Sequence, residues 1–286
     1  MKVIVEILIF GTVQGALLAL LSLGFSLVYG VGGLLNLAHG AFFLITAYVI
    51  HWMIIFFGFG FWIAAIISLA VVVGVSAVTY LGLMKPLQDS HIGIVLVTFA
   101  LAFFFEQLVR FYSSQTYYIV PPVPGTINFF GVNFPAQLLA LMIGSAILVT
   151  LVTLFISKSK IGKTIRAVSQ DMEAAKLVGI NTDMVLMTSV MISALLVGFA
   201  AVLYAPGNFI APRIGWGYLL LAFAVTIFGG MGSIPGSILG AFIMGYASSF
   251  TDYVISPSLS PIIPLVVILV MLLLRPQGLL GKKELL

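Results

Sequence analysis

The residues able to do chemistry in this chain fall at three places. Asn36 and His39 sit among Gly30, Gly32, Gly33 and Gly40 in an otherwise apolar stretch. Polar groups in hydrocarbon are costly unless paired, and they often mark a pathway for polar solutes. Equally, Asn36 can cap a half-helix while His39 bonds a neighbouring span. Glu106 and Arg110 lie four apart, so on a helix they can form an ion pair. Near the outer end of a span, exposure would lower the cost of that charge; Glu106 as a gate or substrate contact is the alternative. The third place is Ser157–Asp183, SKSKIGKTIRAVSQDMEAAKLVGINTD, with Lys158, Lys160, Lys163, Arg166 and Lys176 among the chain's 12 basic residues. Charge gathered in one internal loop is available to a protein or to a lipid surface.

None of these groups forms a catalytic constellation. The chain has no G-x-S-x-G, no H-E-x-x-H and no carboxylates paired at suggestive spacing. Its three histidines, His39, His51 and His91, lack ligand-like spacing, and there is no cysteine, so neither a metal site nor a disulfide is expected. A phosphate-binding G-x-x-x-x-G-K-[ST] is also missing. If ATP and Mg²⁺ are used, they belong to another chain, and no cofactor is expected on this one.

The elements holding these residues are set by composition. Of 286 residues, 62% are hydrophobic and 7% charged, against about 25% charged in soluble domains. With a mean hydropathy of +1.26, the chain is expected to be an integral membrane protein. The net charge of +4 needs no nucleic acid, because basic residues at membrane edges explain it. Apolar runs fall near residues 5–29, 34–57, 59–83, 92–112, 136–156, 184–204, 218–231, 235–250 and 261–274, the seventh and eighth being short for a span. Basic residues place the 157–183 loop and the tail Arg275–Lys283 in the cytoplasm. Counting back puts the N-terminus outside, although Lys2 pulls the other way. The aromatic, proline-bearing loops Ser113–Pro135 and Pro206–Gly217 then face outward, as interfacial anchors or as a docking surface, and Arg213 and Asp252 read as lone external charges.

Within the charged loop, Ile165, Val168, Met172 and Ala175 fall on one helical face. Arg166, Gln170 and Glu173 fall on another, and Gly179 stands at a C-cap. The spacing predicts one short amphipathic helix over 162–178, which a lipid surface could also bind. Asp171 and Glu173 count against a purely lipid-binding role.

Glu173-Ala174-Ala175, three residues, then Gly179 resembles the E-A-A-x-x-x-G core of the cytoplasmic loop of ABC importer permeases. Gly162-Lys163, Arg166-Ala167-Val168, Gln170-Asp171 and Gly179-Ile180 resemble the loop of the LivH/LivM branched-chain amino-acid permeases, and the usual I-x-L-P continuation is missing. Asn36 to Gly40 (Asn-Leu-Ala-His-Gly), the glycine-rich IFGGMGSIPGSILGAFIMG with Gly229, Gly230 and Gly232, and the ending Arg275-Pro276-Gln277-Gly278-Leu279 also resemble that family, in order along the chain. Gly236 and Gly240 form a G-x-x-x-G pair suited to helix packing. The first and second glycine-rich stretches echo each other weakly, as repeats do in transporters.

The fold expected is therefore all-α: a polytopic transmembrane helical bundle of about 8–10 membrane segments, some broken at glycine-rich motifs. It forms one permease domain over 1–286, with a coupling-helix loop at 157–183. The resemblance, nearer to LivH than to the usually longer LivM, implies the cell membrane and an importer for branched-chain amino acids or related small amino acids or amides. The implied partners are a LivM-like second permease, two ABC ATPases and an extracytoplasmic binding protein. Gly162, Lys163, Arg166, Gln170, Asp171, Glu173, Ala174, Ala175 and Gly179 would meet the ATPase. Asn36, His39, Gly40, Gly229, Gly230 and Gly232 are candidates for the substrate pathway. Two rivals are an ion-coupled secondary transporter, which would want mid-span carboxylates, and a membrane scaffold without transport.

Overall fold

The computed structural model describes residues 2–113, 115–275 and 277–281. Among the described residues, eight helices are long and apolar enough to cross a membrane, and a shorter apolar helix accompanies them. In chain order the helices are α1 (Lys2–Gly32), α2 (His39–Phe57), α3 (Phe61–Thr79), α4 (His91–Tyr112), α5 (Ala136–Lys158), α6 (Lys160–Gln170), α7 (Met172–Leu177), α8 (Thr182–Tyr204), α9 (Ile214–Gly229), α10 (Ile234–Phe250) and α11 (Ile263–Leu274). A π-helical turn, Tyr80–Met84, and a 3-10 turn, Lys85–Leu87, prolong α3. The π turn Thr251–Ile255 prolongs α10, which makes it span-length, and the 3-10 turn Pro257–Ile262 leads into α11. Among the apolar helices of the described residues, α9 stays short.

The long helices are apolar all round, as helices are when their surroundings are protein on one side and lipid on the other. The centre is α1, α2 and α8, where Leu20, Phe42, Val197 and Ala200 are fully buried. Helices α3, α4, α5 and α11 lie outside and expose Ile66, Phe104, Ile147 and Leu269, as lipid-facing helices should.

Two helices are tightly wedded by small residues. Helix α10 runs antiparallel to α1: Gly232 meets Gly30, the Ser237 carbonyl accepts from Ser22 Oγ at 3.4 Å, Gly245 meets Gly15, and Ser249 Oγ donates to the Ile7 carbonyl at 3.3 Å. Backbones can approach this closely only where side chains are absent or small.

The echoing glycine-rich stretches are both helix–break–helix units. After Gly32 the chain runs without helix to Ala38 and folds back along α1. His39 then bonds Leu21, about three helical turns before the end of α1. After Gly229 a tight turn through Gly230 and Gly232, both at positive φ, starts α10. The two breaks approach so closely at Gly30 and Gly232 that a Cβ on Gly232 would lie 3.0 Å from Gly30 Cα.

The loops between α4 and α5 and between α8 and α9 meet through two short strands. β1 (Tyr117–Tyr118) pairs antiparallel with β4 (Phe209–Ile210), and β2 (Thr126–Phe129) forms a hairpin with β3 (Val132–Pro135). They mark the face opposite the charged loop. On the charged face stand Lys85, Lys158, Lys160, Lys163, Arg166, Lys176 and Arg275. Five long helices precede that loop, so Lys2 lies at the opposite end of the bundle.

Candidate functional site

The charged loop folds into two helices where the spacing predicts one. Ser159 caps α6 by accepting the Gly162 N–H at 2.8 Å. At Asp171 the backbone turns extended (φ −157, ψ 108), and its carboxylate accepts the Ala174 N–H at 2.9 Å. An aspartate that caps a new helix ends the old one, because its own backbone leaves the helical region. The Arg166–Gln170–Glu173 face therefore does not exist as a continuous helical stripe. The apolar face survives the break: Ile165, Val168 and Ala175 are buried against Leu27, Val31, Tyr80 and Leu186, with Met172 beside them. Gly179 (φ +83) ends α7 with the Gly179 N–H to Lys176 O and the Ile180 N–H to Ala175 O, both 3.0 Å, a full Schellman closure. Gly162 lies against the Ile156 carbonyl, where a Cβ has no room.

The outer surface of this platform is exposed at Lys163, Arg166, Gln170, Asp171, Glu173 and Ala174. Glu173 and Lys176 pair at 3.0 Å, in solvent. At the tip Leu177 and Val178 are 88% and 76% exposed, outside the spans. Large apolar side chains rimmed by charge mark a surface that binds a protein or a membrane. Sequence reading by helical faces passes over these two, since it treats 162–178 as one helix ending at Gly179.

The candidate pathway residues lie at the breaks. Asn36 is buried; its Oδ1 accepts the Ala38 N–H at 3.0 Å, and its Nδ2 has no partner among the described residues. His39 is buried where three helices meet, with Nε2 at 2.9 Å from Leu21 O of α1 and Nδ1 at 3.2 Å from Ser193 Oγ of α8. Gly40 and Gly215 stand backbone to backbone, bringing α2 onto the start of α9, and Gly229 meets Gly236 in the same way. Gly230 packs on Gly281, and Leu279 and Leu280 donate backbone N–H groups to Phe228 O and Gly229 O at 2.9 and 3.0 Å. The tail thus closes over the end of α9; its Pro276, Lys282 and Lys283 lie outside the described residues.

Glu106 differs from expectation. It is buried, 5% exposed, rather than relieved by water. Arg110 Nη2 lies 2.7 Å from it, Arg213 Nε 3.6 Å, and Trp216 Nε1 donates to its other oxygen. Arg213, a lone charge in the sequence, is half of an ion pair. The convergence spans more than a hundred residues, so no local spacing announces it. A void of about 10 Å³ beside Glu106 is lined by Leu37, Gly40 and Gly215, which ties this cluster to the first break.

A predominantly helical membrane bundle with glycine-rich breaks between α1 and α2 and between α9 and α10, and a charged two-helix platform between α5 and α8, has the build of a membrane permease subunit. The chain belongs to the branched-chain amino acid transport system permease component family, whose model matches residues 7–273. It is 28% identical over 298 residues to the LivH permease protein of the high-affinity branched-chain amino acid transport system of Escherichia coli K12, covering 96% of this chain and 94% of that one. It is 28% identical over 297 residues to BraD of Pseudomonas aeruginosa, covering 97% and 95%. Against LivM of E. coli K12 it is 26% identical, over 94% of this chain but 70% of the relative. Among solved structures it shares its fold with PsaBC from Streptococcus pneumoniae in complex with Fab, at a TM-score of 0.53 and 14% identity over 95% of this chain and 93% of that one.

Proposed function

We propose that this multi-pass permease forms one half of the translocation path of an ABC importer for branched-chain amino acids or closely related small amino acids or amides. The observation carrying the coupling reading is the two-helix platform. It is capped at each start, packed on the ends of α1, α3 and α8, and exposes Leu177 and Val178 beside Glu173 and Lys176. In this reading each of two ATPase subunits receives such a platform, one from this chain and one from a LivM-like partner. ATP and Mg²⁺ act wholly in those subunits. A binding protein delivers substrate to the strand-bearing face, and the platform and C-terminus face the cytoplasm of the cell membrane. The whole chain acts as one domain, with 157–183 as its coupling loop. Likeness to LivH over nearly its full length, and to LivM over less of that longer chain, supports a heterodimer of permeases.

The pathway wall in this reading includes the breaks at Asn36–Gly40 and Gly229–Gly232, because interrupted helices expose backbone N–H and C=O groups able to hold the charged ends of an amino acid. The test is uptake in cells carrying Glu173→Lys. Reversing a charge at the tip should lower ATP-driven amino-acid uptake about 30-fold, the scale of a lost interface hot spot, with membrane levels of the chain unchanged. Unchanged uptake would sink the coupling reading. Uptake that persists without ATPases and follows an ion gradient would favour a secondary transporter instead.

A further inference from the structure

Helix α4 buries a single line of residues against the rest of the molecule. Its buried residues are Ile94, Thr98, Ala102, Glu106 and Val109, a step of four until the last, so a single narrow stripe faces inward. Ile92, Leu96, Phe103 and Phe111 on its other sides are exposed. Two residues of the stripe are polar, and each holds one of the irregular segments. Thr98 Oγ1 accepts the Leu37 N–H at 3.1 Å, within the stretch between α1 and α2. Glu106 holds Arg213 and Trp216 at the start of α9.

The other end of α4 is tied to the charged face. Just before it, Lys85 Nζ lies 2.8 Å from Asp183 Oδ2, and Gln88 Nε2 donates to Asp183 Oδ1 at 3.2 Å and to Tyr80 Oη at 2.7 Å. Asp183 is in the first turn of α8, directly after the platform. Tyr80 is fully buried in the π-helical turn, a local irregularity frequent at functional positions. Lys85 and Asp183 are nearly half exposed, so their pair adds little to stability. What it does is hold the end of the α3 extension, from which the chain turns into α4 within three residues, against the platform. Ser90 caps α4 by accepting the Gly93 N–H at 3.1 Å, so the 22 residues form a stiff element about 33 Å long.

We infer that α4 is a transmission rod. Lys85, Gln88 and Asp183 couple it to the platform, and Thr98 and Glu106 pass its displacement to the break before α2 and to α9. The inference rests on the coupling reading above and names the helix that carries the motion. Thr98 is a positioning residue: without Oγ1 the Leu37 N–H loses its acceptor.

Proximity alone does not establish transmission; coupling energies do. The test reconstitutes the complete importer in proteoliposomes and measures labelled amino acids imported, from a mixture of small amino acids, per phosphate released. Thr98→Val and Lys85→Glu should each lower that ratio about 2- to 30-fold, the range single positions contribute to coupling. Thr98→Ser, which keeps the acceptor, should restore it, and so should Lys85→Asp combined with Asp183→Lys. A defect of folding lowers uptake and hydrolysis together and leaves the ratio unchanged; that result, or failure of both rescues, overturns the rod. No ATP-driven uptake by the unmodified importer would overturn the coupling reading itself.

Discussion

Gly40→Val is expected to prevent the folded bundle from accumulating. A Cβ at position 40 falls inside the Gly215 carbonyl and 2.9 Å from Leu219 Cβ, and a Cβ at 215 would lie 2.6 Å from Gly40 O. The obstacle is backbone on both sides, which cannot rotate away as a side-chain tip can. Overpacking a core costs about 1–3 kcal/mol and more where backbone must move. Because the backbones of two helices must part here, the cost is expected to exceed that range and to consume most of a folding stability of about 5–15 kcal/mol. Because α9 is also held by Glu106, α2 and α9 cannot separate without straining the ion cluster. The matched control is Gly74→Ala in α3, where nothing lies within 4 Å of the new Cβ. There the helix should gain about 0.5–1 kcal/mol. Fluorescence-detected size exclusion in detergent reads both: a lost or aggregated peak for Gly40→Val, a retained peak with raised melting temperature for Gly74→Ala. A Gly40→Val protein that folds and melts like the parent would remove the α2–α9 contact from this account.

Glu106→Ala should be nearly as damaging, for an electrostatic reason. The carboxylate is 5% exposed and is the shared acceptor of Arg110, Arg213 and Trp216. Removing one member of a buried pair costs about 3–5 kcal/mol, because the partner's charge is left uncompensated. The arginines' side chains are 36% and 79% exposed, and water will relieve part of that loss. A cost near the lower end, about 3 kcal/mol, is therefore expected. Glu106→Gln keeps an oxygen for the indole N–H and should cost less than the alanine variant. Melting of the purified chain measures the order parent, Gln, Ala. If both variants melt alike and within a degree of the parent, the cluster holds nothing together.

Much of the architecture is legible in the sequence because lipid imposes a simple rule on composition. Uninterrupted apolar runs become helices, and the glycine pairs at Gly32-Gly33 and Gly229-Gly230 mark their interruptions. The charged loop stands out for the same reason. Three things were not legible. Asp171 fits an amphipathic helix by spacing, and only its capping of Ala174 shows that the helix restarts there. The run near residues 34–57 is apolar apart from Asn36, His39, Thr46 and His51, so its average hydropathy does not separate the non-helical Leu34–Ala38 from the helix His39–Phe57. Residues that meet from distant parts of the chain, such as Trp216 with Glu106, Asp183 with Lys85 and Thr98 with Leu37, leave no periodic trace. These long-range polar contacts run between the platform side of the bundle and the two breaks, and local pattern does not encode them.

Coupling in the proposed importer depends on docking of the 157–183 platform on an ATPase. The chain contains no cysteine, so a single thiol can be placed at will. Glu173→Cys, on the charged face, is compared with Phe130→Cys in the hairpin turn of the opposite face, each coupled to a short photoreactive maleimide in native membranes. Glu173→Cys should give a covalent adduct with an ATPase subunit that changes in yield when ATP is added, and Phe130→Cys should give none. An ATPase adduct from Phe130→Cys, or a Glu173→Cys adduct with lipid alone, would contradict that docking.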